Sequence, residues 1–160
     1  MSVYLSVAPP DGFTRWGDAE WERWLRAHPW ESAELLCSRA DWAVFLYQLR
    51  RHCPEGRKAL EALLEQLIHE RPLSSQEAED LGKALQAARR EMESLPAEAT
   101  KEDRDQFASP ADLDAKIAAA RQRTGKEPTL ADVWAPVLDR VEQVLANALR
   151  ERRGIYFGNV

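Results

Sequence analysis

The side chains with the most capacity for chemistry are three histidines, His28, His52 and His69, and two cysteines, Cys37 and Cys53. Zinc would need such ligands to converge from recognisable spacings. No HxxxH, CxxC or HExxH occurs, and the three histidines fall on different predicted helices or helix ends. Glu65 and His69, at i and i+4, could share an ion, but an amphipathic helix commonly presents such a pair to solvent. No metal is expected. A cysteine nucleophile would need a histidine base and an electropositive or helix-N-terminal setting. Cys37 instead closes an apolar segment and Cys53 completes a helical stripe, so both read as buried free thiols. Seven glycines, none in a GxSxG, GxxxxGKS or GxGxxG pattern, build neither a nucleophile elbow nor a phosphate cradle, and no cofactor is expected. Glu77, Glu79 and Asp80 fall in the first turn of a predicted helix, where negative charge complements the macrodipole. A carboxylate pair brought together from distant parts of the chain stays open, because such pairs need not be neighbours in sequence.

Aromatic residues could grip a ligand without doing chemistry. Four of six tryptophans, Trp16, Trp21, Trp24 and Trp30, crowd into one short segment. Trp21 and Trp24 share a helical stripe with Leu25 and His28, which assigns them to a core. Trp16 and Trp30 lie just outside that helix, beside Gly17 and Pro29, where no periodicity commits them to the interior. They either cover the end of a bundle or act as exposed anchors of the kind found at interface hot spots. Arg121, Arg123 and Lys126 read as a solvated helix end.

The elements that must position these residues are mostly helices. "VYLSVA", stopped by Pro9-Pro10-Asp11-Gly12, and "GIYFGNV" read as two short strands at the ends of the chain, each too short to stand alone and so expected to pair. Everything between reads as helix. Asp18 caps a helix to about His28, and a second begins near Ser38 with the stripe Trp42, Phe45, Leu46, Leu49 and Cys53, the expected centre of the core. A third follows in "RKALEALLEQLIHER". Ser74 with Glu77 forms a capping box for a helix to about Leu95, whose Ala78, Leu81, Leu85, Ala88, Met92 and Leu95 make a seam for an antiparallel neighbour or a second copy. Residues 96–109, "PAEATKEDRDQFAS", read as a flexible loop of alternating charge. Ser109-Pro110 opens another helix ended by Gly125, and Thr129 with Asp132 opens a last long one stopped by Gly154, which Pro136 must kink or delay. The expected fold is a mainly α, single-domain bundle of five or six helices over residues 1–160, with its terminal strands paired.

A chain of 160 residues can bury a core without staples, and a mean hydropathy of −0.53 with no long uncharged apolar run excludes a membrane span. The first residues show no basic region followed by an apolar run, so no export signal is read and the cytoplasm is expected. A net charge of −5 without a Lys/Arg stripe argues against nucleic acid as a partner. The mild acidity gathers in residues 55–95 and favours a basic protein partner.

The leading expectation is therefore a non-catalytic protein-binding module, most concretely a bacterial immunity or antitoxin-type inhibitor of a basic toxin domain. Trp16 and Trp30 would be its anchors, and Glu98, Glu102, Asp103 and Asp105 would steer the encounter. A structural or assembly subunit that dimerises through the helix over 75–95 comes second. An enzyme whose site is built from scattered carboxylates comes third.

Overall fold

The first strand, β1 (Ser2–Pro10), begins with alternating β-branched and large residues, and Val3 and Leu5 are buried on one side of it. Ser6 and Ala8 are buried as well, so both faces of this strand are covered, as befits the centre of a sheet. It pairs antiparallel on one side with β2 (Glu34–Ser38) and on the other with β3 (Arg153–Asn159), giving the order β2-β1-β3. The pairing of the chain's two ends follows the expectation from sequence, with Val7 opposite Ile155 and Val3 opposite Asn159. Strand β2 does not. "ELLCS" carries no β-branched or aromatic residue, and its extended form comes from the ladder with β1, in which Val3 faces Cys37.

The computed structural model describes residues 2–10, 19, 23, 26, 27, 34–54, 57, 60–62 and 72–159. Helix α1 (Arg39–His52) starts where Ser38 accepts a bond from the Asp41 amide and ends with Arg50, Arg51 and His52 against the negative end of its dipole. Helix α2 (Ser75–Glu93) opens with the capping box of Ser74 and Glu77. Its apolar seam, Ala78, Leu81, Leu85, Ala88 and Met92, is buried within the chain and packs against α4 (Leu130–Arg150), so that stripe is not available to a second copy. Helix α3 (Pro110–Thr124) has Ser109 and Asp112 as its box and Gly125 in the left-handed region at φ 68°.

Helix α4, rather than α1, runs through the centre: ten of its residues are buried against six of α1, and it touches all three strands, α2, α3 and the 97–106 segment. Its Trp134 ring packs 5.3 Å from Phe45. Pro136 does not delay its start, because the box of Thr129 and Asp132 sets the first turn ahead of the proline. A small clasp ties the end of α2 to the start of α4, with the Leu130 amide on Leu95 and the Ala97 amide on Pro128.

Two local expectations are corrected. Residues 97–106 form a 3-10 helix, not a loop. Gly154 does not stop α4 either: the chain leaves the helix at Arg152, which holds a left-handed φ of 52°, and Gly154 lies in β3 where a Cβ would sit 1.7 Å from the Leu73 carbonyl oxygen.

Candidate functional site

A 3-10 helix has three residues per turn, so every third side chain eclipses the one before. In Ala97–Gln106 this places Ala97, Thr100 and Asp103 on one inward row, all fully buried. Glu98, Lys101 and Arg104 form a second row, and Ala99, Glu102 and Asp105 a third. The alternating charges that read as a solvated loop are thus sorted onto faces with different fates.

Asp103 is the correction of most consequence. Expected at the surface to steer a partner, it is 0% exposed and accepts from three side chains of α1: Gln48 Nε2 at 3.0 Å, Arg51 Nη1 at 2.7 Å and His52 Nε2 at 2.8 Å. Gln48, itself buried, turns its Oε1 to the Trp134 indole N–H at 2.6 Å. A continuous polar chain therefore runs from the central helix to the 3-10 helix, and each buried group in it has a partner. Arg51 also reaches the Tyr47 hydroxyl at 3.0 Å and Glu102 at 2.5 Å. The Tyr47 bond, followed by the charges of Asp103 and Glu102, pushes its guanidinium above the ordinary range. His52 and Asp103 resemble two members of a catalytic set, but the carboxylate offers no open side to a substrate. Its evident work is fastening the 3-10 helix to α1.

Beside this fastener lies an open groove of about 830 Å³ between α1 and α3. One wall is Ala40, Ala43, Val44 and Tyr47, the other Asp112, Ala115, Lys116 and Ala119, and the turn Gln106–Phe107–Ala108 closes one side. The sequence builds it directly. Helix α3 commits Leu113, Ile117 and Ala120 to the interior, so the alternate face, at positions 112, 115, 116 and 119, looks outward over α1. Its alanines are exposed and too short to fill the space. Lys116 spans the groove to Asp41 at 3.1 Å and lies 5.2 Å over the Trp134 ring.

The segment that supplies the turn and the start of α3 beside this groove is acidic. Over residues 97–115 there are six carboxylates against Lys101 and Arg104, a net of −4 in a chain whose total is −5. Asp103 is spent inside, which leaves Glu98, Glu102, Asp105, Asp112 and Asp114 at the surface. Glu98 pairs with Lys101 and, at 3.5 Å, with Arg121; Asp114 pairs with Arg104 at 2.8 Å. Glu102 and Asp105 share the outermost row of the 3-10 helix. Of the expected partner-binding residues, the structure leaves Glu98, Glu102 and Asp105 exposed on two different rows of the 3-10 helix, removes Asp103 to the interior, and leaves Trp16 and Trp30 outside the described residues. The groove itself was missed in the sequence, because the alanines that line it give no signal of a cavity.

The two thiols are free, and neither has the environment of a nucleophile. Burial, aided by Asp41, pushes Cys37 up to about 12, and burial, aided by Glu91, does the same for Cys53, whose Sγ lies 3.5 Å from the Ala88 carbonyl. Among the described residues no group of three or more histidine, cysteine or carboxylate side chains is placed to hold a metal ion, and no helix is long and apolar enough to cross a membrane. Comparison with protein-family models, with curated proteins and with solved structures finds no match to this chain.

Proposed function

We propose that this chain is a protein-binding module for a basic partner, most concretely an immunity or antitoxin-type inhibitor that occupies the active surface of a basic toxin domain in the cytoplasm. The observation that carries the reading is an open groove, left unfilled by the side chains of the described residues, one side of which is supplied by an acidic segment, residues 97–115. Concentrated charge of one sign draws an oppositely charged protein over a Debye length of about 8 Å, raising the encounter rate more than the final affinity. Glu102 and Asp105 face outward and would meet such a partner first; Trp16 and Trp30 would be its aromatic anchors. No cofactor takes part.

Co-expression with the product of the adjacent gene tests this reading when that product carries a basic toxic domain. A complex that co-purifies, with an association rate falling steeply as salt rises, and survival of cells producing the toxin are the expected results. Absence of both complex and protection would end the inhibitor reading. A stable homodimer that ignores the basic protein would favour an assembly subunit instead.

A further inference from the structure

We infer that residues 97–106 act as a strap held stretched: Asp103, gripped by Gln48, Arg51 and His52 of α1, keeps an α-prone segment in the longer 3-10 form. Loosening that grip lets the segment shorten into an α-helix and draw Phe107 away from the groove between α1 and α3. The local sequence favours the shorter helix. Seven of the ten residues in "AEATKEDRDQ" are Ala, Glu, Lys, Arg or Gln, all good α-formers. The 3-10 form has poorer hydrogen-bond geometry, and runs beyond three or four residues are uncommon, yet this one spans ten. A local preference overruled over such a length points to a tertiary contact that holds it. Ala97, Thr100 and Asp103 are buried at three-residue intervals; the turn of an α-helix, about 100° per residue, would carry Asp103 about 120° from Ala97 and put Arg104 near its place. Thr100 gives its hydroxyl to the Ala97 carbonyl inside the segment, so within this row the hold on another element is that of Asp103.

Nine steps along the axis cover about 18 Å in a 3-10 helix and about 13.5 Å in an α-helix, so the change shortens the segment by about 4 to 5 Å. Neither end has slack to absorb it. Upstream, the Ala97 amide is bonded to the Pro128 carbonyl at 3.0 Å and the Leu130 amide to the Leu95 carbonyl at 2.9 Å. Downstream, Phe107 and Ser109 are already extended, with ψ of 158° and 140°, and Ser109 is committed to capping α3. Phe107, buried and the largest residue of the turn that closes the groove, is therefore the one that moves. The three donors differ in reach. Gln48 is fully buried and the His52 side chain is 14% exposed, whereas Arg51 is 36% exposed and shared with the exposed Glu102. Arg51 is thus the point at which a second molecule can loosen the grip, whichever partner the protein meets.

Asp103→Asn keeps the shape of the side chain and removes the charge that the three donors share. In NMR spectra of the full chain carrying it, residues 98–106 should exchange their α-proton-to-amide contacts at i,i+2 for contacts at i,i+4. The Phe107 ring and the methyls of Ala43 and Ala115, which line the groove with it, should shift at the same time. Arg51→Met retains the stem of a partly exposed side chain and removes one donor, so it loosens the strap without emptying the interior. It should move the same resonances part of the way and speed amide exchange over residues 100–106 at least about tenfold, with exchange in the middle of α4 unchanged. Should the asparagine variant fail to fold, the methionine variant decides by the same contacts. Retention of the i,i+2 contacts in the variants that fold, random-coil shifts without i,i+4 contacts, or an α-helix formed with Phe107 unmoved would each overturn the inference.

Discussion

Arg123 donates from Nη2 to the main-chain carbonyl of Asp132 at 2.8 Å, and that carbonyl is the one Pro136 leaves without its helical donor. In an α-helix the amide of residue 136 would bond to the oxygen of residue 132; proline has no N–H, and a cation from the end of α3 takes its place. A residue that read only as a solvated helix end therefore fastens α3 to α4. Replacing Arg123 with alanine should cost about 1 kcal/mol in urea unfolding. In a Pro136→Ala background the helix regains its own bond, so the same replacement should cost much less. Equal costs in the two backgrounds would show that the guanidinium does not serve that carbonyl.

The buried carboxylate should weigh far more than its surface neighbour two residues on. Asp103→Ala leaves the amide of Gln48 and the ring of His52 without an acceptor and should cost about 3 kcal/mol, while Asp105→Ala should stay within about 0.5 kcal/mol. Paired chemical denaturation of the two variants measures the contrast. Similar values would mean that the three-residue phase of the 3-10 helix is wrong.

Two substitutions at the end of α4 should have opposite signs. Arg152→Gly relieves a left-handed backbone and should stabilise by about 0.5 to 1 kcal/mol. Gly154→Ala puts a methyl onto the Leu73 carbonyl, forces β3 away from the paired bonds between Leu73 and Ile155, and should cost about 3 kcal/mol. Thermal melts of the pair check that the left-handed turn out of the helix falls at Arg152 and not at Gly154.

Both thiols should resist alkylation in the native state at pH 8 and react quickly in denaturant, because only the thiolate attacks. With folded values pushed from 9.0 up to about 12, the native state holds its thiol protons longer than the unfolded chain. The resulting stability is complete below pH 9 and is lost as pH rises from about 9 to about 12. Cys37→Ser with Cys53→Ser should flatten that alkaline decline. Rapid native labelling of either cysteine at pH 8 would contradict the burial.

Much of this fold is written in short-range chemistry. Ser74 with Glu77, Ser109-Pro110 with Asp112, and Thr129 with Asp132 each satisfy orphan amides within four residues, so three helix starts were legible from neighbours alone. The stripes of α1, α2 and α4 and the left-handed Gly125 were legible for the same reason. Strand β2 was not, because nothing in "ELLCS" prefers extension until β1 lies beside it. The fate of Asp103 was not, because its three donors come from about fifty residues away and its row depends on a three-residue period that mixed charges conceal. Gly154 looked like a stop until the approach of Leu73 gave it another task. The amino-acid order by itself determined where helices begin and which faces they bury. Only tertiary structure decided which charges are spent inside and which helix faces are left lining an open groove, because both depend on contacts between segments that no local rule brings together.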